Sequence, residues 1–310
     1  MPHPFEAREV SVWVEAGREE RALRVLGDPR ISPTRIGSDD AGVRRRLCER
    51  FGAEPFDDLR RLAVATSSVL WIERPTPLDE ADREALEDED LALVAGACTL
   101  PFLLAVPQCE TAPSFRRTAA GRTLLGIADA FGKVDVLQAT VAVPRADRLA
   151  EGLRVAAATA LAVLCPVEDV SALGTRGGTL TATLIGRRGI GTIAVGTGAE
   201  AVCFSLAGEG GQATVTSGFV AWQRPDGSWV EESRLAPDGN EPIVQTLLEA
   251  EPPTAEAAPL SRAESRHRRA RLRIAALADA VRLSARTGHH ESMDGFLRSF
   301  DIDPFDLSPR

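Results

Sequence analysis

The chain has 310 residues and a formal net charge of −9, so it lacks the basic surface that nucleic-acid binding requires. Its hydrophobic content of 44% and its length predict a globular protein of two domains, and no apolar run is long enough to span a bilayer. The five cysteines show no zinc-type spacing, so no metal site is predicted; without a signal-peptide core at the N-terminus, we expect a reducing, cytoplasmic location.

Residues 1–112 alternate between strand-like and helix-like segments. Strands are predicted over 10–14, 31–37, 68–73, 91–96 and 102–106. Helices are predicted over 19–26, from the cap at Asp39 or Asp40 to Phe51, from Pro55 onwards as a short helix, and over 78–86. Gly52 stands where a left-handed residue ends a helix. This alternation is typical of βαβ units, so the first domain is predicted to contain a parallel, Rossmann-like sheet.

Residues 113–300 follow a different pattern and are predicted to form an α+β domain. Helices are expected over 113–131 and 149–164, with strands over 133–143, 168–173, 178–186, 190–196, 199–206, 212–222 and 228–232. Consecutive strands with short turns indicate an antiparallel sheet. Residues 249–260 are interpreted as a linker, Ser261 and Glu264 as the capping box of a long helix over 261–286, and 301–310 as a tail.

Several of these segments also resemble a known family. Asp39–Leu59 has an acidic residue, a helix, the sequence Phe-Gly-Ala and then Asp-Asp-Leu, and Val69–Thr76 is a strand that leads into Pro-Thr. Both are similar to the glucose–fructose oxidoreductase / inositol dehydrogenase (Gfo/Idh/MocA) family, as are residues 167–173 and 277–288. The resemblance implies an N-terminal Rossmann domain for NAD or NADP, and a C-terminal domain whose large open antiparallel sheet mediates homo-oligomer formation.

The resemblance also places the cofactor residues. It puts Gly17 at the middle glycine of the phosphate loop, Asp39 at the ribose-binding acid, and Pro75 and Thr76 beside the nicotinamide. The first and third glycine positions hold Glu15 and Glu20, which bring negative charge to a helix N-terminus where a pyrophosphate would bind. Each lost phosphate contact costs about 1.5–3 kcal/mol. From the residues alone, Asp39 or Asp40 caps the next helix, so Asp39 can also be interpreted as a simple helix N-cap.

The catalytic residues that the resemblance implies are not found. The Glu-Lys-Pro motif is expected within Leu91–Pro101, which contains neither Glu nor Lys, and the Asp-x-x-x-His motif within Leu153–Leu164, which contains neither Asp nor His. Lys133 is the chain's single lysine, and its place at a strand end favours a solvated side chain over a catalytic one. No catalytic residue is therefore predicted, because general acid–base transfer needs a titratable group beside the substrate.

Two polar clusters admit more than one interpretation. Arg262–Arg273 is either an anion-binding patch or a helix face that pairs with the chain's excess acids. His289 and His290 could ligate a metal, but no accompanying ligand set is visible in the sequence.

Three hypotheses follow. The first is a divergent oxidoreductase-fold protein without dehydrogenase activity, which binds a ligand or serves as the partner subunit of a catalytic homologue. The second is an active NAD(P)-dependent oxidoreductase acting on a sugar or polyol-like substrate with rearranged catalytic groups, such as Asp129, Asp135 or a residue from a partner chain. The third is a purely structural dimerisation protein.

Overall fold

A computed structural model describes residues 7–74, 76–86, 91–112, 114–175, 178–251, 262–304 and 307. They fall into two compact units: the chain up to Ser114 with the segment from Gly239 to Arg268, and Phe115–Asp238 with the chain from Arg269. Pro75, Ser261, most of the predicted linker and half of the predicted tail lie outside the described residues. Within the described residues, no helix combines the length and the apolar character needed to cross a bilayer.

The first unit is built on a sheet of six parallel strands, in the order β3-β2-β1-β4-β5-β6. Its strands are β1 (Arg8–Val14), β2 (Ile31–Gly37), β3 (Glu54–Phe56), β4 (Val69–Glu73), β5 (Ala92–Ala95) and β6 (Glu110–Thr111). Its helices are α1 (Glu19–Leu26), α2 (Ala41–Phe51), α3 (Leu59–Ala65), α4 (Arg83–Leu86), α5 (Leu100–Ala105) and, from later in the chain, α8 (Glu241–Glu249). The predicted Rossmann-like parallel sheet is confirmed.

One face of this sheet is covered by α1 and α2 and also by α8, which comes from later in the chain. The alternating β-branched residues of β1 place Val10, Val12 and Val14 on one side, where all three are fully buried. Val244 and Leu247 of α8 join the same apolar core. The sequence alone places residues 241–249 in the second domain, because they follow its strands; in the structure their apolar side chains complete the first core instead.

Two predicted segments of the first unit are wrong. The expected strand over 102–106 is the helix α5, whose first turn contains Pro101 and whose N-cap Thr99 accepts a hydrogen bond from the Phe102 N–H at 3.4 Å. The helix expected from Pro55 begins only at Leu59, after the edge strand β3. In both places a local hydrogen bond to a side chain sets the boundary, since Asp58 accepts from the Arg61 N–H at 2.7 Å.

The second unit has a nine-stranded sheet in the order β14-β13-β12-β11-β7-β10-β9-β8-β15. Its strands are β7 (Val134–Val143), β8 (Val167–Gly174), β9 (Leu180–Gly186), β10 (Gly189–Thr197), β11 (Ala201–Gly208), β12 (Gly211–Thr216), β13 (Phe219–Gln223), β14 (Trp229–Arg234) and β15 (Glu291–Ser292). Its helices are α6 (Ala119–Ala130), α7 (Leu149–Leu164), α9 (Arg262–Thr287), which begins in the first unit, and α10 (Met293–Arg298). The predicted sheet is confirmed, although its β7–β10 pair is parallel.

The central strands of this sheet have one buried side and one exposed side. On β7, Leu137, Ala139 and Val141 are buried, whereas the alternate residues are exposed or half-buried. The other side, which we call the open face, is defined on four neighbouring strands by Val136, Gln138, Thr140, Thr181, Thr183, Ile185, Ile190, Thr192, Ala194, Cys203, Ser205 and Ala207. None of these twelve side chains is charged.

Candidate functional site

The strand order of the first sheet reverses between β1 and β4, so its crevice lies at the carboxyl ends of these two strands. The Glu15 N–H donates to the Glu73 carbonyl at 3.0 Å and holds the two strand ends together. Gly17 follows in the left-handed region, with φ of 84°, and α1 begins at Glu19. The loop thus keeps the conformation for which its single glycine is suited.

Beside this loop lies a buried cluster of charges, which we call the switch-point cluster: Arg18, Arg21 and Glu73. The Glu73 side chain is 1% exposed, and its Oε1 accepts a hydrogen bond from Arg21 Nη1 at 3.2 Å. Arg18 Nη1 lies 3.7 Å from the same oxygen and is 4% exposed. The arginine that caps α1 is therefore directed towards a protein carboxylate.

The N-terminus of α1 already carries negative side chains in its first turn, Glu19 and Glu20. Glu19 binds Arg46 of α2, with Arg46 Nε 2.9 Å from its Oε1, and Glu20 is 86% exposed and pairs with Arg24 at 3.2 Å. Carboxylates at this position compensate the positive end of the helix dipole, which is the feature that attracts a phosphate. A pyrophosphate would meet these carboxylates at the same helix end.

A second charged group surrounds Glu15, which is half-buried. Arg74 pairs with Asp82 through two contacts of 2.7 Å, and its Nε donates to the Thr76 carbonyl at 3.0 Å. Burial raises the pKa of Glu15; Arg74 opposes this shift, and the nearby carboxylates of Asp39 and Asp82 add to it. Glu15 is thus a carboxyl group held close to other acids in the crevice.

Glu15→Gln is expected to raise the free energy of unfolding at neutral pH. The folded pKa of Glu15 is raised above its ordinary 4.5, so the wild type loses stability as the pH rises from that value through the folded pKa. The advantage of glutamine should therefore be absent below about pH 4 and fully present at about pH 8. Urea unfolding of both proteins across this range measures it.

Glu19→Gln serves as the control of opposite sign. The hydrogen bond from Arg46 lowers the pKa of Glu19, so its contribution to stability is present above the ordinary pKa and lost as the pH falls. Glutamine at this position should lower the stability at neutral pH. Equal effects of the two substitutions at pH 7 would contradict the assignment for Glu15.

The predicted cofactor residues occupy one edge of the sheet. Gly17 lies after β1, Asp39 after β2 and Thr76 after β4, and the latter two are exposed. The cap of α2 is Asp40, which accepts from the Gly42 and Val43 N–H groups at 2.7 and 2.9 Å, so the alternative that Asp39 is the cap is wrong. Pro75 lies outside the described residues.

The segment in which the Glu-Lys-Pro motif is expected contains one of two neighbouring thiols, and the other thiol follows later in the chain. Cys98 follows β5 and Cys109 precedes β6; both are buried, and their Sγ atoms are 3.4 Å apart. No spacing in the sequence indicates this pair. The described residues from Leu91 to Leu100 provide no amine or carboxylate that could replace the expected Lys and Glu.

In the second unit, ionisable groups lie on α7 at the start of Leu153–Leu164, the stretch in which a histidine is expected, and just before it. Glu151 and Arg154 are each 5% exposed, and Glu151 Oε2 accepts from Arg148 at 3.1 Å. The spacing of Arg148 and Glu151 on one helix face was the available signal in the sequence. By contrast, Asp129 is exposed, and Asp135 is 57% exposed and pairs with Lys133 at 3.0 Å.

Lys133 and the two histidines lie at the surface of the second unit. Lys133 is 62% exposed, as its position at a strand end predicts. His290 Nε2 lies 3.4 Å from Asp169, and the His289 carbonyl accepts from Ser284 at 2.6 Å. Across the described part of the chain, no three His, Cys, Asp or Glu side chains are grouped so as to hold a metal ion.

Solved dehydrogenase and reductase structures share this architecture. The WlbA dehydrogenase from Chromobacterium violaceum, in complex with NADH and UDP-GlcNAcA, is 15% identical over 94% of this chain and 96% of that chain, with a TM-score of 0.64. KijD10, a 3-ketoreductase from Actinomadura kijaniata in complex with NADP and TDP-benzene, is 20% identical over 90% and 98%, with a TM-score of 0.67. Biliverdin reductase from Synechocystis, in complex with biliverdin and NADP+, is 14% identical over 91% and 99%, with a TM-score of 0.67.

At these identities the comparisons establish the fold, which is that of the Gfo/Idh/MocA oxidoreductases. No family model matches the sequence, and no curated protein sequence matches it either.

Proposed function

We propose that this chain is a non-catalytic protein on an oxidoreductase fold, acting as a ligand-binding or partner subunit. The observation that carries the proposal is the chemistry at the start of α1. Glu15, Glu19 and Glu20 lie where a dinucleotide's pyrophosphate is expected, and Arg18 contacts Glu73. The residues present do not fit NAD or NADP, because a pyrophosphate would bind beside several carboxylates at this helix end.

The absence of the expected catalytic groups supports the same proposal. A hydride-transferring oxidoreductase needs a group that moves a proton to or from the substrate oxygen. The described residues after β5 and along α7 hold neither the lysine nor the histidine that this chemistry would use in the resembled family. If the chain works with a catalytic homologue, that partner supplies the proton transfer.

The alternative is an active oxidoreductase with rearranged groups, and one observation favours it. Glu15 is a half-buried carboxyl with a raised pKa in the crevice, which is the kind of group that serves as a general acid or base. This alternative requires a bound dinucleotide, and the first proposal excludes one. The same titration therefore separates them.

Titration with NAD+, NADH, NADP+ and NADPH is expected to show no saturable binding below a Kd of about 1 mM. Calorimetry and thermal shift on the full-length chain provide the measurement. The Glu15→Gly/Glu20→Gly variant restores both missing glycines of the loop and removes two negative charges, so any residual affinity should increase in it. Micromolar binding of a dinucleotide by the wild type would contradict the proposal and favour an active enzyme.

We also propose that the chain self-associates through the open face of the second sheet. In an isologous dimer the same patch meets itself, so a patch without charges avoids like-charge repulsion. Val136 and Ile190, neighbours on paired strands, are 52% and 54% exposed and supply apolar contact area at one end of this face. A purely structural role would rest on this face alone.

A further inference from the structure

A cavity of about 320 Å³ lies within the second unit, to which all of its lining residues belong. The end of α7, the start of β8, α9 and α10 form its walls. Its apolar lining includes Leu161, Val167, Met293, Leu297 and Leu307. This volume lies at the lower end of the range of small-molecule sites, and such a lining suits an apolar ligand body.

A guanidinium group supplies the cavity's polar anchor. Arg273 of α9 lines the cavity and is partly buried. Among the described residues its side chain has neither a hydrogen bond nor an ion pair, whereas the cavity's other arginine, Arg187, lies 3.7 Å from Glu168. A partly desolvated cation that has no counter-ion within the described ranges of the chain favours the binding of an anion.

The surroundings of Arg273 are basic on that side of the cavity. Burial lowers the pKa of Arg273, the Cys165 thiol opposes this, and Arg269 lowers it further. Burial raises the pKa of Cys165 itself, while Arg273, Arg188 and Arg187 all act to lower it. The thiol therefore lies among three arginines, and an anionic group placed beside it would meet several positive charges.

Three acidic side chains also line the cavity, and each has a structural environment of its own. Glu168 faces Arg187, and Asp169 lies 3.4 Å from His290 Nε2. Asp294 lies in the first turn of α10. Two of the three acids thus face a basic partner other than Arg273.

We propose that this cavity is a binding site for a small amphiphilic carboxylate, with its carboxylate on Arg273 beside Cys165 and its apolar body against Leu161, Val167 and Leu297. The planar guanidinium matches a carboxylate through paired N–H donors, which a neutral or cationic head group does not exploit. The site belongs to the second unit alone, so it does not depend on whether a dinucleotide binds to the first.

Octanoate is the probe, and calorimetry on the full-length protein is the first measurement. It should bind saturably, and Arg273→Met, which keeps most of the side-chain volume and removes the charge, should weaken binding about 10- to 100-fold. Arg286→Met removes an exposed arginine from the same helix and should leave the affinity unchanged. Octylamine, with the same chain and a positive head group, should bind more weakly than octanoate.

Protection of Cys165 provides a second measurement on the wild-type protein, independent of any variant's folding. Saturating octanoate should slow the labelling of Cys165 by N-ethylmaleimide several-fold, with Cys48 of the first unit as the internal control. Octanoate binding that survives Arg273→Met unchanged, stronger binding of octylamine, or no protection of Cys165 would each overturn the proposal.

Discussion

Replacing Glu73 with glutamine should lower the free energy of unfolding by about 3–5 kcal/mol. The Glu73 carboxylate is 1% exposed and lies 3.2 Å from Arg21 and 3.7 Å from Arg18. Glutamine removes the negative charge that faces the buried guanidinium groups of Arg18 and Arg21. The positive charge left uncompensated in the interior is the physical reason for the lower free energy of unfolding. Denaturant unfolding, followed by circular dichroism, measures it.

Glu20→Gln is the matched control, because it makes the same chemical change on a neighbouring element. Glu20 is 86% exposed, and its ion pair with Arg24 joins residues four apart on α1. Such surface pairs contribute about 0.3–0.5 kcal/mol, so the control should lie close to the wild type. A Glu73→Gln protein as stable as the control would show that the switch-point cluster is not the electrostatic core of the first unit.

Under the proposed self-association through the open face, Thr192→Arg should convert the associated form to monomers at micromolar concentration. Thr192 is exposed on β10 at the centre of the open face, where it neighbours Gln138 and Thr183 on the adjoining strands. In an isologous contact the two new arginines come close together, and like charges placed together cost several kcal/mol, which is about a 100-fold or greater rise in Kd. Sedimentation velocity on the wild type and on Thr192→Arg measures the fractions of monomer and of the associated form in each.

Ala130→Arg is the control for this substitution, since it adds the same side chain to an exposed position on α6 rather than on the open face. It should leave the oligomeric state unchanged. A wild-type chain that sediments only as a monomer, or a Thr192→Arg protein that still associates, would count against the open face as the interface.

Local signals in the sequence are sufficient for much of the first unit. The helix α1 matches its prediction residue for residue, because its apolar period and Gly27-Asp28-Pro29 mark both its face and its end. Gly52 ends α2 with φ of 68°, as its position indicates. The run Phe102–Val106 misleads, since a short apolar segment fits a strand or a helix; Thr99 and Pro101 supply the helix-start signals that decide between them.

The contacts that define the candidate site depend on residues far apart in the sequence. Arg21 and Glu73 are 52 residues apart, and nothing in the sequence around either one indicates a buried pair. The same holds for Cys98 and Cys109, which approach each other only because β5 and β6 are adjacent strands. Motif positions therefore predict where the crevice lies, whereas the identity of its buried charges requires the tertiary fold.

The return of α8 to the first unit has a consequence for synthesis of the chain. The Arg8 side chain donates to the Ala250 carbonyl at 2.7 Å, and the apolar residues of α8 pack in the same core as β1. After the ribosome has added Ser114, it must still synthesise the chain up to Gly239 before the second segment of the first unit begins. This synthesis takes about 6 to 25 seconds at ordinary elongation rates. During that interval the nascent first unit lacks one of its helices, so it emerges with an uncovered apolar surface that chaperones recognise, while the strands of the second unit leave the exit tunnel.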